Sequence, residues 1–144
     1  MTRLRHLTSR SGSEQGFTLA EILVVILIIT VLAAIAIPSF IGQRGKASDA
    51  SAKSDARTAQ QAEETWFGDH NDYTATAADL KGIESTLNGA NQLTANGGAN
   101  TFAVSSKSRG GFGVVYMITR DASANVTRTC QPVSKDSCPA SGTW

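Results

Sequence analysis

Three residues near the start of the chain have types and a spacing that could do chemistry: Gly16, Phe17 and Glu21. Gly16 has little steric bulk and directly precedes a long apolar run, so a cut after it would leave an α-amine on Phe17. Such an amine titrates near pH ~8 and is mostly cationic at neutral pH. Glu21 lies inside the apolar run, where an ionised carboxylate is costly and marks a functional site. We therefore predict that Glu21 of one molecule pairs with the Phe17 amine of a neighbour.

The predicted pair would be strong enough to set how neighbouring molecules align. At ~4 Å and an effective dielectric constant near ~20, it gains about 4 kcal/mol before desolvation. Losing one partner would cost more than never having the pair, because a buried charge is left alone. The alternative is that Glu21 reaches back to the cytoplasmic interface.

The apolar run that carries these residues extends over 17–41 and is long enough to cross a membrane. Between Ile22 and Ile37 it contains one polar residue, Thr30, and no charge. As a helix rising ~1.5 Å per residue, the stretch from Phe17 to Ile37 reaches about 30 Å, the thickness of the hydrocarbon core.

The charges before the run predict its orientation. Arg3, Arg5 and Arg10 precede it against Glu14, and basic residues stay on the cytoplasmic side. Two ways of processing such a segment remain open. A secretory signal would be cut after the small-residue triplet 34–36 and leave a soluble product. A cut after Gly16 keeps the run, and an acid that hinders secretory insertion favours this second cut.

Beyond the run we predict a second, amphipathic stretch of helix over 42–67. Pro38 predicts a kink or local melting, since it removes a backbone donor, and Gly68 predicts the helix end. A stripe at helical spacing consists of Ala52, Ala56, Ala59, Ala62 and Trp66. The other faces are expected to carry Asp49, Lys53, Asp55, Arg57, Glu63 and Glu64. The stripe should pack on a sheet, because small residues allow close approach.

The second half of the chain predicts that sheet. Residues 68–100 read as a connecting region of turns, with a capping box at Thr76 and Asp79 that could begin one or two helical turns. Alternation then predicts strands over 101–105, 113–120 and 125–130, with 92–95 as an optional fourth. The fold class is therefore α+β: a long N-terminal helix packed on a small antiparallel sheet of three to four strands.

The two cysteines, Cys130 and Cys138, lie in the part expected outside the cytoplasm, where disulfides persist. A bridge between them would add about 2.5 kcal/mol by loop-closure entropy. Two free thiols are the alternative. We predict the bridge.

The stretch from Gly16 to Glu21, followed by a long aliphatic helix with Pro38 near its end, closely resembles the class III leader of type IV prepilins. The resemblance is close from Gly16 to about Arg57 and holds only in outline beyond. It implies that prepilin peptidase cuts after Gly16 and methylates Phe17, and that Phe17, Glu21 and Pro38 serve filament assembly. Ala20 departs mildly from the usual Val or Ile.

The resemblance also implies an organisation and a set of partners. Residues 1–16 would be a removed cytoplasmic leader, 17–41 the membrane and filament-core helix, and 101–144 the sheet with a C-terminal disulfide loop like that of type IVa pilins. Partners would be prepilin peptidase, copies of the same chain, the inner-membrane assembly machinery and, before assembly, membrane lipid. A type II secretion pseudopilin and a DNA-uptake minor pilin are the alternatives.

Several other functions are disfavoured by the residues. Outside the leader, His70 is the single histidine and no nucleophile–base pair is visible, so we expect no catalysis. Asp69 and Asn71 begin like a calcium loop but lack its glycine and final glutamate, so no metal and no cofactor is predicted. The chain has a net charge of +1, which does not indicate nucleic-acid binding.

Overall fold

The structure, a computed structural model, describes residues 16–73 and 75–144, except for the side chains of residues 38, 39 and 41. The predicted leader, apart from Gly16, lies outside the described residues. Two compact units divide the chain: the first ends at Pro38, and the second extends over Ser39–Trp144.

A single long helix, α1, runs from Leu19 to His70. Of the kink or local melting predicted at Pro38, the melting is wrong, because the residues around the proline keep their helical hydrogen bonds, and the kink stays a prediction. The helix also ends two residues later than Gly68 predicted. Asn71 takes the left-handed conformation at φ 59°, and its N–H donates to the Phe67 carbonyl at 2.8 Å. Asparagine therefore supplies the terminating conformation that we had assigned to glycine.

The connecting region contains the helical turns that its capping box predicted. It contains a short helix, α2 (Ala77–Ile83), and a 3-10 turn (Ser85–Gly89). The predicted capping box at the start of α2 is confirmed: the Thr76 N–H donates to Asp79 Oδ2 at 2.8 Å. The Asp79 N–H donates to Thr76 Oγ1 at 3.4 Å. The Thr76 hydroxyl also donates to Asp79 Oδ2 at 2.6 Å, and this bond, followed by that of the Thr76 N–H, holds the pKa of Asp79 below its usual value.

The α+β fold class and the sheet of three to four strands are confirmed, and the optional fourth strand is present. They are β1 (Thr94–Gly97), β2 (Phe102–Lys107), β3 (Val115–Arg120) and β4 (Val126–Gln131). The strands pair antiparallel in chain order, as a meander. Gly97, predicted in a turn, instead ends β1. A Cβ there would lie 1.7 Å from the Tyr73 carbonyl oxygen, so only glycine fits this approach.

The alanine stripe of α1 forms one wall of the core, as predicted. Ala52, Ala56, Ala59 and Ala62 are at most 2% exposed. The cluster around the last three also contains Tyr73, Ala75, Leu80, Leu87, Phe102, Val104 and Ile118. A second cluster comprises Ala52, Val114, Tyr116, Cys130 and Cys138. Trp144 packs against both clusters, so the end of the chain joins them.

Two acids of α1 are buried, although we predicted them on the polar faces of the helix. Asp49 and Glu63 are fully buried, whereas we expected both among the exposed charges. The periodicity places them beside the stripe, but other segments of the second unit cover them. The disulfide loop meets Asp49, and Glu63 lies close enough to Asp79 of α2 to feel its charge.

Candidate functional site: the amino end of the long helix

The first turn of α1 is closed by a capping box that we did not predict. Thr18 is the residue before the helix, and its N–H and its hydroxyl each donate to Glu21 Oε2 at 2.8 Å. In return, the Glu21 N–H donates to Thr18 Oγ1 at 3.2 Å. The signal was in the sequence, since Thr-x-x-Glu before an apolar run is the pattern of this cap. Glu21 therefore has a structural task within its own chain.

The cap leaves part of the Glu21 carboxylate available. Both hydrogen bonds that it accepts in the described chain go to Oε2. Phe17 lies immediately before the cap and is 84% exposed. The Gly16–Phe17 bond therefore lies outside the helix, where its backbone is not engaged in helical hydrogen bonds. The hydrogen bonds from Thr18 to Oε2 hold the Glu21 carboxylate in a fixed place. Its second oxygen, Oε1, is still able to accept a hydrogen bond.

The surface of α1 after this cap is apolar on every side. Large side chains from Phe17 to Phe40 are at least half exposed, and an 18-residue window of the helix has a mean hydropathy of 3.0. Thr30 satisfies its hydroxyl internally by donating to the Ile26 carbonyl at 2.7 Å. Thr30 therefore presents no unsatisfied hydroxyl donor to a hydrocarbon surrounding. By length and composition this helix can cross a membrane.

Known proteins share both the N-terminal motif and the length of this chain. The prokaryotic N-terminal methylation motif matches residues 12–37. The type IV wide pilus major component PilA4 of Thermus thermophilus is 33% identical over 130 residues, which cover 88% of this chain and 98% of the Thermus protein. The chain belongs to the type IV pilin family.

Two other known proteins are similar to shorter stretches of this pilin-family chain. The type II secretion system core protein G of Pectobacterium carotovorum is 40% identical over 75 residues, 51% of this chain and 48% of that protein. The type IV major pilin protein PilA of Myxococcus xanthus is 35% identical over 67 residues, 46% of this chain and 30% of that protein. The chain thus spans half or less of the length of these two relatives.

The predicted disulfide is present in this pilin-family chain, between Cys130 and Cys138. It joins the end of β4 to the C-terminal segment. The Cys130 N–H also donates to the Gly142 carbonyl at 2.8 Å, and the Trp144 indole N–H donates to the Thr129 carbonyl at 2.8 Å. The C-terminal segment is therefore attached to β4 by hydrogen bonds as well as by the covalent link.

Buried Asp49 holds the disulfide loop against α1. Its Oδ2 accepts the Ser137 N–H at 2.8 Å, and Lys53 Nζ donates to the Ser137 carbonyl at 3.4 Å. The ammonium group of Lys53 also lies 5.0 Å from the Tyr116 ring centroid. Burial, followed by the negative charge of Asp49, raises the pKa of the Tyr116 hydroxyl. Sequence reasoning placed Asp49 in solvent and so missed this contact.

Buried Glu63 is the second acid that sequence reasoning missed. Neither of its carboxylate oxygens has a hydrogen-bond partner in the described part of the chain. Burial raises its pKa to about 7, and the negative charges of Glu64 and Asp79 add to the shift. Its environment therefore favours the protonated form.

His70 and Pro38 complete the residues singled out from sequence. His70 is exposed, but it lies in the last turn of α1 rather than in a loop. Its ring stacks on Trp66 at a centroid distance of 3.8 Å. Pro38 lies within α1, and its side chain is outside the described set. The role of Pro38 in assembly stays a prediction.

Proposed function

We propose that this chain is the structural subunit of a type IV pilus filament. Prepilin peptidase cuts between Gly16 and Phe17 and methylates the new amine. The segment 17–41 holds the subunit in the bacterial inner membrane, with the leader in the cytoplasm, until inner-membrane assembly machinery moves it into an extracellular filament. Family membership and the match of the methylation motif support this proposal.

One observation carries the proposal: the first half of α1 exposes apolar side chains in every direction. A helix that is apolar all round needs an apolar surrounding. Lipid provides it before assembly, and the same helix of other subunits provides it afterwards. Exchange of one apolar surrounding for another makes transfer from membrane to filament possible without exposing this surface to water. Repetition of one contact without closure then yields a filament.

Glu21 sets the axial register between subunits in this proposal. Its cap to Thr18 fixes the carboxylate, and the second oxygen accepts the Phe17 amine of an adjacent subunit. Only one stagger of two parallel helices brings these opposite charges together. An isolated carboxylate in the same apolar surrounding would be strongly disfavoured, so incorrect staggers are rejected.

The decisive experiment separates the charge of Glu21 from its capping role. Glutamine also completes a capping box, so Glu21→Gln keeps the cap and removes the charge, whereas Glu21→Ala removes both. We expect both variants to be cut after Gly16 and both to lose at least about tenfold in filament yield. Glu14→Gln removes the same charge from the discarded leader and serves as the matched control, with normal yield. Normal filaments from Glu21→Gln would reject the register role.

Mass spectrometry of the mature N-terminus tests the processing step separately. A chain beginning with Phe17 and carrying one extra methyl group is the expected product. A chain beginning at Ile37 would instead show a secreted, soluble protein, and one beginning at Met1 an unprocessed protein. Either of these two results would contradict the proposal.

A second candidate, a type II secretion pseudopilin, is favoured by the identity to core protein G. The match to PilA4 extends over almost the whole of that protein, and the core protein G match over about half, so we place the pilus first. Expression of this chain in two deletion strains decides between them. One strain lacks the major pilin and the other lacks core protein G. We expect restored pili in the first and no restored secretion in the second.

A further inference from the structure

A group of basic and aromatic side chains in the second unit is not used by the proposed function. Arg44, Arg109 and Phe112 line one surface cavity of about 460 Å³, and Lys135 lies against Phe112 with its Nζ 4.9 Å from the ring centroid. We call these four residues the basic–aromatic patch. They come from α1, from the turn between β2 and β3, and from the disulfide loop, and are brought together only by the fold.

Close backbone packing positions this patch. A Cβ on Gly110 would lie 3.3 Å from the Gly45 carbonyl oxygen, so the turn after β2 rests directly on α1 beside Arg44. The Phe112 N–H donates to Asp136 Oδ2 at 3.1 Å, which attaches the same turn to the disulfide loop. Arg109 donates to the Gly89 carbonyl at 3.1 Å. The turn that carries Arg109 and Phe112 is therefore fixed at three points.

The patch combines unpaired positive charge with an exposed ring. Within residues 16–73 and 75–144, the one ion pair joins Arg120 to Glu64, so none of the three cations of the patch has a carboxylate within salt-bridge distance. Phe112 is 60% exposed. Asp136 belongs to the same surface and offsets one charge, and the carboxylate of Asp55 lies close enough to attract Arg109. The remaining net charge of about +1 beside an exposed phenylalanine resembles the composition of surfaces that bind membrane interfaces.

We propose that the basic–aromatic patch binds the headgroups of anionic phospholipids at the outer face of the membrane in which the subunit waits before assembly. This inference rests on the proposed membrane anchoring. Arg44 follows Ile37 by seven residues, a length of chain that spans at most about 25 Å, and the headgroup layer begins where the hydrocarbon core ends. Because Arg44 follows the membrane-spanning run so closely in sequence, lipid headgroups are the anionic partner nearest to the patch.

The expected preference for anionic lipid is modest. Each net positive charge near such a surface contributes about fivefold, so a patch with a net charge of about +1 gives roughly fivefold. The attraction is screened when the Debye length falls to about 3–4 Å in molar-range salt. Phe112 would enter the interfacial layer, while Arg109 and Lys135 face the phosphate groups. Release of this contact would accompany extraction of the subunit into a filament.

Hydrogen–deuterium exchange of the full mature chain in nanodiscs tests the proposal. One copy per disc is compared in phosphatidylcholine alone and in phosphatidylcholine with a third of phosphatidylglycerol. We expect exchange in peptides over 107–115 to slow at least about threefold in the anionic discs, and the effect to vanish at 0.5 M sodium chloride. The double variant Arg109→Gln/Lys135→Gln should lose the effect. The matched control Lys81→Gln/Arg128→Gln removes one lysine and one arginine elsewhere and should keep it.

Each other outcome has a definite meaning. Equal exchange in both lipids, with the chain incorporated in the discs, overturns the patch as a lipid site and leaves the anchoring intact. Failure of the chain to enter discs would instead contradict the proposed function itself. Protection that appears only with several copies per disc, whatever the lipid, would show a contact between subunits and overturn the lipid proposal. Thermal unfolding of both double variants confirms that they fold.

Discussion

The two halves of α1 differ in which apolar side chains they expose and which they bury, although they belong to one helix. In the first half, large aliphatic side chains such as Leu27 and Leu32 are more than half exposed. In the second half, the residues at the core positions are alanines that are almost completely buried. Large apolar residues therefore lie outside and small ones inside, the reverse of what residue hydrophobicity alone would predict.

This difference shows where each half finds its partners. The second half packs against a sheet of its own chain, and alanine permits the close approach of helix and strands. The first half exposes its large apolar side chains, which lipid or other copies cover in the proposed function. Stability of the second unit should therefore depend on substitutions in the second half of α1 and be indifferent to those in the first. Four predictions test this contrast.

The largest effect is expected from pH acting on buried Glu63. Its pKa rises from 4.5 to about 7 on folding, so the unfolded chain releases this proton first. The contribution of Glu63 to the free energy of unfolding should therefore be largest below about pH 4.5, fall as pH rises towards 7, and level off above it, with a loss of about 3 kcal/mol from this group. Urea unfolding of the full chain in detergent, followed by tryptophan fluorescence, measures this loss.

The variant Glu63→Gln isolates that contribution. We expect it to remove most of the fall between pH 5 and pH 8. Asp69→Asn is a matched control, since Asp69 is an exposed acid of the same helix whose charge is not among those that raise the pKa of Glu63. A pH profile unchanged by Glu63→Gln would show that the second half of α1 does not carry a titrating core residue.

The second effect is the loss of the disulfide. Replacing both cysteines, Cys130→Ser with Cys138→Ser, should lower the free energy of unfolding by about 2.5 kcal/mol, because the unfolded chain regains the freedom of the closed loop. The same denaturation measurement checks it. Incorporation of the variant into membranes should not change, because the apolar helix is untouched. A variant that no longer enters membranes would break the separation of the two halves.

The third prediction compares one enlargement in each half of α1. Ala59→Leu adds volume at a position with 0% exposure and should cost about 2 kcal/mol through overpacking. Ala34→Leu makes the same change at an exposed position of the first half and should leave unfolding of the second unit unchanged. Equal destabilisation by the two variants would contradict the contrast drawn above.

The smallest effect concerns the two capping boxes. Thr76→Ala removes the cap of α2 and should cost about 1 kcal/mol of unfolding free energy. Thr18→Ala removes the equivalent cap of α1, where no core of the second unit is involved, and should leave that free energy unchanged. We expect it instead to lower filament yield, because Glu21 loses the hydroxyl and the geometry that hold it. Thr18→Ser keeps the hydroxyl and should restore the yield.

Much of the fold could be predicted because its signals are local. The alanine stripe at helical spacing identified the core face of α1, and Thr76 with Asp79 identified the start of α2. Alternation located β2, β3 and β4 to within two residues at each end. The end of α1 and the place of Gly97 in a strand were harder to predict. The end of α1 depends on which residue takes a left-handed conformation, and the place of Gly97 depends on how closely the Tyr73 backbone approaches it. Several different sequences could meet either condition.

The sequence by itself determined the apolar run, the Gly16–Phe17 junction and the acid at Glu21, because composition and spacing within about 20 residues carry that information. Only the tertiary structure decided that Asp49 and Glu63 are buried, and that Arg44, Arg109 and Lys135 share one surface. Asp49 meets Ser137 across 88 residues of sequence, and no local pattern records such a contact. Burial of a polar residue depends on which distant segment covers it, and that is settled when the helix, the sheet and the disulfide loop pack together.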